Sequence, residues 1–142
     1  MKRSGFTLIE ILVSLAILAI LMSIALPSYS RYVKNAQLSE AQHQLAANAL
    51  LLEGYYQDNR HYGASDTGCG IDFATSNSAA FTYTCTLENL PGQTFLLTAT
   101  GQGQMTGYSL TLNQQNQKRT TAFPEATGLP KACWISSASQ TC

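Results

Sequence analysis

The sequence feature that most constrains this chain is an uncharged block of twenty residues between Glu10 and Arg31. Most of its side chains are aliphatic, and a helix of this length rises about 30 Å, the thickness of the hydrocarbon core of a bilayer. The block therefore predicts a membrane-spanning helix. Because Lys2 and Arg3 precede it, the positive-inside rule places the N-terminus in the cytoplasm and the residues after Arg31 outside.

A cleaved secretory signal peptide is the alternative for this block. It is disfavoured because the block is longer than a usual signal-peptide core, and Pro27 stands where a cleavage site needs small residues. Glu10 does not fit a plain anchor, since a carboxylate at the edge of an apolar helix should have a partner. It either lies at the interface without a role, or it meets a cation when the helix leaves lipid and enters a protein assembly.

Composition limits the size and the surface of the remaining chain. The protein has 142 residues, of which 11% are charged, with eight Lys and Arg against eight Asp and Glu. Soluble domains average roughly 25% charged residues, so the polar surface here must come from Ser, Thr, Asn and Gln. The length allows one domain of modest size. A net charge of zero argues against a simple electrostatic nucleic-acid binder.

Residues 2–10, Lys-Arg-Ser-Gly-Phe-Thr-Leu-Ile-Glu, followed by the apolar block and Pro27-Ser-Tyr, closely resemble the class III leader and N-terminal helix of type IV pilins and pseudopilins. The resemblance covers about the first sixty residues. It implies that a prepilin peptidase cleaves after Gly5 and methylates the new N-terminus at Phe6. It also implies that Glu10 pairs with the N-terminal amine of a neighbouring subunit during assembly. Desolvated together, these two charges attract far more strongly than in water.

The organisation that follows has three parts. Residues 1–5 are a removable leader, residues 6–30 form the transmembrane and filament-core helix, and residues 31–142 form an extracytoplasmic globular domain. Without the leader, six basic and eight acidic side chains remain, a balance of −2. This value argues further against general affinity for nucleic acid.

A long helix is predicted from Phe6 to about Asp58, with Pro27 kinking or locally opening it between its apolar and amphipathic halves. In the second half, apolar residues recur every three or four positions and form one stripe that can hold a sheet. The stripe consists of Ala41, Leu45, Ala49, Leu52 and Tyr56.

After a loop from Tyr62 to Ser78, the hydrophobic period changes to two, which is typical of half-buried strands. The strands are predicted around residues 81–87, 95–100 and 108–113, with a weak fourth at 118–122. We therefore predict an α+β fold in which the N-terminal helix packs on an antiparallel sheet of three to four strands. One face of the sheet lies on the helix and the Thr-rich face lies in water. This is also the pilin fold.

Four cysteines, Cys69, Cys85, Cys133 and Cys142, lie in the part assigned to the exterior. Two disulfides are expected there, and the sequence leaves three pairings open. We favour Cys69–Cys85 and Cys133–Cys142, each closing a short loop, and the resemblance implies that the second closes a C-terminal loop of the kind found in many pilins. A zinc site is disfavoured because no Cys-x-x-Cys pair occurs. The neighbouring Trp134 and Ile135 are expected to be core residues.

No motif predicts catalysis, a cofactor or a metal site. Glu40-Ala-Gln-His43 matches one half of a di-iron motif, but no second copy exists, so His43 is expected on a solvated helix face. Residues 101–106 lack the third glycine of a dinucleotide fingerprint and predict a turn. No Ser, His and carboxylate combination suggests a nucleophile with its base, so we expect no enzyme activity.

A second resemblance concerns roughly residues 80–134. The segments at 94–101, 108–113 and Cys133-Trp134 are similar to those of minor pilins related to the DNA-uptake receptor pilins. The resemblance implies a minor pilin that supports pilus assembly, adhesion, twitching motility or DNA uptake. Its expected partners are other pilin subunits, bound through the N-terminal helix, the prepilin peptidase and the inner-membrane assembly platform. The expected location is the inner membrane before assembly and the extracellular filament afterwards.

Two alternatives remain open from the sequence. The first is a DNA receptor on the filament, in which Lys118, Arg119 and Lys131 form a small basic strip near the strand edge; the competing interpretation is an ordinary solvated face. The second is a pseudopilin of a type II secretion system. The major pseudopilin family usually carries a calcium loop near its C-terminus, whereas residues 127–142 contain no Asp or Glu, which disfavours that version.

Overall fold

The computed structural model describes residues 6–64, 68–89 and 92–142. One long helix, α1 (Leu8–Asn59), is followed by four strands, β1 (Phe81–Asn89), β2 (Thr94–Gly101), β3 (Ser109–Asn113) and β4 (Lys118–Ala122). The strands form one antiparallel sheet in the order β1-β2-β3-β4. This confirms the predicted α+β fold, including the weak fourth strand. Two short 3-10 helices, Ala74–Ser76 and Gly103–Met105, lie in the connections, the second where a turn was predicted.

The chain divides into two compact units, Met1–Asn35 and Ala36–Cys142. In the first unit, every described side chain from Phe6 to Tyr32 is exposed. The most apolar window of α1 has a mean hydropathy of 2.7, and none of that window is buried within the chain. By length and composition α1 can therefore cross a membrane.

Pro27 lies inside α1, and the helix is assigned on both sides of it without interruption. Proline has no N–H for the carbonyl four residues earlier, so Ser23 loses its usual intrahelical donor. A nearby hydroxyl bonds a different carbonyl of the helix: Ser30 Oγ donates to the Pro27 carbonyl at 3.1 Å. The division between the two compact units falls after Asn35.

In the second unit, the predicted stripe of α1 packs into the core. Ala41, Leu45 and Leu52 are fully buried, whereas Ala49 and Tyr56 are half-buried at its edge. The sheet contributes its inward residues to the same core. These are Phe81, Tyr83, Phe95, Leu97, Ala99, Leu110 and Leu112. Burial of this many large apolar side chains is the main stabilising term for the unit.

Two buried residues of α1 fall outside the predicted stripe. Leu38 extends it by one turn, and Asn48 is a polar residue that is completely buried. The Asn48 side-chain oxygen accepts hydrogen bonds from Gln44 Nε2 at 2.9 Å and from Ser76 Oγ at 3.1 Å. Asn48 thus attaches the loop before β1 to the helix.

The Thr-rich outer face of the sheet is exposed at Thr84, Thr86 and Thr100, as predicted. Thr111 departs from the prediction, since only 6% of it is exposed. It lies in β3 with Thr98 opposite it on one side and Arg119 on the other. Thr111 and Arg119 line one depression on this face.

Candidate assembly helix and nucleic-acid interface

The start of α1 is built by Thr7 and Glu10, which have the Ser/Thr-x-x-Glu spacing of a capping box. Thr7 Oγ1 accepts a hydrogen bond from the Glu10 N–H at 3.4 Å, and the Thr7 carbonyl accepts from the same group at 3.1 Å. Glu10 lies in the first turn, where the helix dipole favours a carboxylate. Thr7 and Glu10 therefore help to start α1 within a single chain.

The processing residues lie around this start. Gly5 is outside the described residues, and Phe6 is 81% exposed. Glu10 is also exposed and is followed by uncharged residues as far as Ser30. A carboxylate at this place on an apolar helix is available to a cation from another molecule.

The two cysteine pairs of the second unit are disulfide-bonded as Cys69–Cys85 and Cys133–Cys142. These are the pairs that the sequence favours among the three possibilities. The first joins the loop after α1 to β1, and the second closes the C-terminal segment. The bonds take up the sulfur atoms that the alternative zinc site would need.

The C-terminal segment lies against β4. The N–H and carbonyl groups of Lys131 bond with those of Thr120 at 3.0 and 3.1 Å. Thr120 Oγ1 donates to the Cys133 carbonyl and accepts from the Ile135 N–H. Ile135 is fully buried, and Trp134 packs at the edge of the core with Nε1 donating to the Thr111 carbonyl at 2.9 Å. Both residues are therefore structural, as expected.

The three residues of the predicted basic strip do not share one environment. Lys118 and Arg119 line a surface depression of about 400 Å³ at the β4 edge, and Lys118 Nζ lies 4.9 Å from the centroid of the Trp134 ring. Lys131 Nζ instead donates to the Gln140 carbonyl at 2.7 Å. Lys118 and Arg119, consecutive residues of β4, thus line one depression, whereas Lys131 has a bond inside the C-terminal loop.

Charge is also segregated along the second unit. Between residues 40 and 88 there are six acidic side chains and one basic side chain, whereas from 118 to 142 there are three basic side chains and one acidic. The net charge of the whole chain conceals this division. The division is not complete in space, because Glu88 of β1 lines a depression on the sheet together with Arg119. A charge count by segment would have found this signal in the sequence.

Two tyrosines in the second unit have raised pKa values. Burial, followed by a hydrogen bond from Tyr62 Oη to Glu53 Oε1 at 2.9 Å, raises the pKa of Tyr62 to about 12. Burial and the Glu40 carboxylate raise the pKa of Tyr83 to about 12. His43 is exposed, as predicted for a solvated helix face. These tyrosines lie beside the helix and the core, and they have a structural role.

An exposed apolar helix start joined to a half-buried helix and a four-stranded antiparallel sheet defines a type IV pilin. The family model described as type IV minor pilin ComP, DNA uptake sequence receptor, matches residues 27–110. The model of the prokaryotic N-terminal methylation motif matches residues 1–26. The chain belongs to the ComP family of type IV minor pilins. This confirms the resemblance and favours a pilus subunit over a secretion pseudopilin.

Curated relatives are described as fimbrial proteins or type IV major pilins. Fimbrial protein EcpC of Eikenella corrodens is 39% identical over 69 residues, 49% of this chain and 45% of that protein. Fimbrial protein Q of Moraxella bovis is 34% identical over 108 residues, 72% of this chain and 66% of that protein. The chain spans about half the length of the first curated relatives it matches.

Among solved structures, the non-core minor pilin PilV of Neisseria meningitidis matches with a TM-score of 0.49 and 18% identity. The match covers 67% of this chain and 93% of that chain.

Proposed function

We propose that this chain is a minor subunit of a type IV pilus, anchored in the inner membrane before assembly and held in the filament afterwards by residues 6–30. The observation that carries the proposal is the complete exposure of this apolar segment. Apolar surface of this extent needs lipid or other helices around it. Lipid tails and neighbouring helices are similarly apolar, so transfer from bilayer to filament has a small free-energy cost.

Processing and orientation follow from the leader. A prepilin peptidase cleaves after Gly5 and methylates Phe6 on the cytoplasmic side, where Lys2 and Arg3 hold the N-terminus. The match of residues 1–26 to the methylation motif supports this step. Residues 31–142 then face outward, and the two disulfides of this part fit an oxidising compartment. The inner-membrane assembly platform moves the helix from lipid to the filament.

Within the filament, Glu10 pairs with the N-terminal amine of a neighbouring subunit. Other subunits would surround both groups with apolar helices, where an unpaired charge is costly and a pair attracts strongly. Thr7 caps the backbone N–H of Glu10, and the helix dipole favours the carboxylate in this first turn of α1. The pair therefore sets the axial register between subunits.

The test measures this subunit in sheared pili and in membranes by quantitative immunoblot. Glu10→Gln keeps a side chain that can cap the helix but removes the charge, so it should enter the membrane normally and be depleted from pili. Glu40→Gln, also exposed on α1, is the matched control and should be incorporated normally. Normal incorporation of Glu10→Gln would overturn the pairing, and absence of the native chain from sheared pili would overturn the pilus function.

We also propose that the subunit binds DNA during uptake, with Lys118 and Arg119 as contacts and Lys131 as a weaker one. The family is described as a DNA uptake sequence receptor, although the matched residues end before β4. The supporting observation is the shared depression of Lys118 and Arg119 in a region with a local excess of positive charge. Basic side chains at one site neutralise phosphates and release counterions.

The DNA test uses residues 31–142 and duplex DNA at several salt concentrations. Lys118→Gln/Arg119→Gln should weaken binding and lower the slope of log affinity against log salt by about 2, at roughly 0.9 per lost phosphate contact. Arg60→Gln, in the acidic part of the unit, is the control and should leave the slope unchanged. No binding at low salt, or an unchanged slope in the double variant, would contradict this site.

A further inference from the structure

The end of the apolar half of α1 carries a cluster that neither the filament pairing nor DNA binding uses. Tyr29 and Tyr32 are 69% and 73% exposed, and Arg31 beside them is also exposed. Lys34 follows within one turn. Between Glu10 and Glu40 the sequence contains no acidic residue. These two cations therefore have no carboxylate nearby along the helix with which to pair.

The axial position of this cluster matches a bilayer boundary. At a helical rise of about 1.5 Å per residue, Tyr29 lies about 28 Å and Lys34 about 36 Å along the axis from Glu10. A hydrocarbon core is about 30 Å thick, and headgroups add about 5 to 8 Å on each side. With Glu10 at one boundary, residues 29–34 lie among the headgroups of the opposite leaflet. Tyrosine is the residue type enriched at such boundaries.

The angular arrangement favours lipid over a single protein groove. With 3.6 residues per turn, Tyr29 and Tyr32 lie on one side of α1, and Arg31 and Lys34 lie on roughly the opposite side. A groove would contact one side only, whereas a layer of headgroups surrounds the helix. Basic side chains near such a layer attract anionic phospholipids, by up to about fivefold in affinity per charge.

We propose that Tyr29, Arg31, Tyr32 and Lys34 form an interfacial belt that binds anionic phospholipid headgroups of the outward leaflet. The inference rests on the proposed membrane anchoring of residues 6–30. It adds a partner that matters after processing, because cleavage removes Lys2 and Arg3. The belt then carries the basic side chains closest to the membrane and holds the subunit at a fixed depth until assembly.

The test uses the full chain in phosphatidylcholine vesicles that contain a small amount of spin-labelled phosphatidylglycerol or spin-labelled phosphatidylcholine. Electron spin resonance measures how strongly each labelled lipid associates with the protein. The native chain should prefer phosphatidylglycerol several-fold, and added salt should reduce this preference. Arg31→Gln/Lys34→Gln should bring the ratio close to one, a loss of up to about fivefold per charge. Arg60→Glu, exposed in the second unit, is the control with the same change of two charge units and should keep the preference.

The outcomes separate the belt from the anchor. If the native chain floats with the vesicles but shows no preference for phosphatidylglycerol, the belt is overturned and the anchor stands. Equal loss of preference in the double variant and in Arg60→Glu also overturns the belt, because it assigns the effect to net charge. A chain that fails to float with vesicles overturns both proposals.

Discussion

The two units place their apolar residues in opposite ways. In residues 6–32 the large apolar side chains are exposed, as at Leu12 and Leu18, whereas in residues 36–142 most large apolar side chains are buried or partly buried, as at Leu45 and Phe95. One helix, α1, contributes to both units. The same residue type therefore stabilises the second unit from within the chain, while the first unit depends on surroundings supplied by other molecules.

The two halves of α1 therefore place different requirements on their amino-acid sequences. The second half needs a stripe that fits a particular sheet, and its packing is sensitive to the size of each side chain. The first half needs only a continuous apolar surface, apart from Glu10 and Pro27. Substitutions should therefore have effects that depend on the unit more than on the residue type.

The largest expected effect comes from truncating a core side chain. Phe95→Ala should lower the free energy of unfolding of the second unit by about 3–5 kcal/mol, because Phe95 is buried between the sheet and Tyr62. Leu12→Ala, exposed in the first unit, should change it by less than about 0.5 kcal/mol. Urea unfolding of the full chain in micelles measures both. Similar losses in the two variants would remove the distinction between the units.

Introducing a charge should have its larger effect in the first unit, whereas truncating an apolar side chain has its larger effect in the second. Leu18→Lys puts an ammonium near the centre of the apolar half, where it costs about 2.5–3.5 kcal/mol in a membrane, so membrane integration should fall. Leu50→Lys is the control, since Leu50 is 73% exposed on the second half of α1. Alkaline extraction of membranes, followed by immunoblot, should release the first variant only. Retention of Leu18→Lys would contradict a bilayer around residues 6–30.

Removing a disulfide should destabilise the second unit without changing the integration of the first unit into the membrane. Cys69→Ser/Cys85→Ser and Cys133→Ser/Cys142→Ser should each lower the free energy of unfolding by about 2–4 kcal/mol. The first pair closes the longer loop and should give the slightly larger loss on the loop-entropy account. Denaturant unfolding gives the two losses, and membrane extraction should be unchanged. A greater loss on removing Cys133–Cys142 would indicate that its contacts, and not loop length, dominate.

The smallest effect concerns pH. The pKa values of Tyr62 and Tyr83 are raised from 10.0 to about 12 in the folded chain, so the neutral forms are favoured by folding. Their contribution to stability should be complete below pH 10 and should be lost as the pH rises from 10 to 12. Tyr62→Phe/Tyr83→Phe should flatten this decline and cost about 1 kcal/mol at neutral pH through the lost Glu53 hydrogen bond. A decline of unchanged slope in that double variant would assign it to other groups.

The sequence predicted the elements well because their periods are unambiguous. Alternation in β1 and β2 matches the burial of Phe81 and Phe95, and the four-residue stripe of α1 matches Leu45. It missed the burial of Asn48 and of Thr111, because both depend on residues far away in the chain. The Asn48 side-chain oxygen accepts a hydrogen bond from Ser76 Oγ, and Thr111 lies between Thr98 and Arg119 of the neighbouring strands.

The candidate site was predicted less completely. The leader motif identifies Gly5, Phe6 and Glu10 from adjacent residues, so the sequence suffices to propose them. The basic strip needed tertiary structure, because the Lys131 ammonium is bound to Gln140, nine residues later in the C-terminal loop. The proximity of Lys118 to Trp134 depends on the C-terminal segment lying against β4. No period in the sequence encodes that placement.

The measurement that tests the division most directly is thermal unfolding of residues 31–142 in water beside the full chain in micelles, both with disulfides intact. Since the core and both disulfides lie in the second unit, the two Tm values should agree within about 4 °C, which corresponds to about 1 kcal/mol or less. A fragment that is unfolded, or whose Tm is lower by more than about 10 °C, would contradict the account, since the apolar half would then stabilise the globular unit directly.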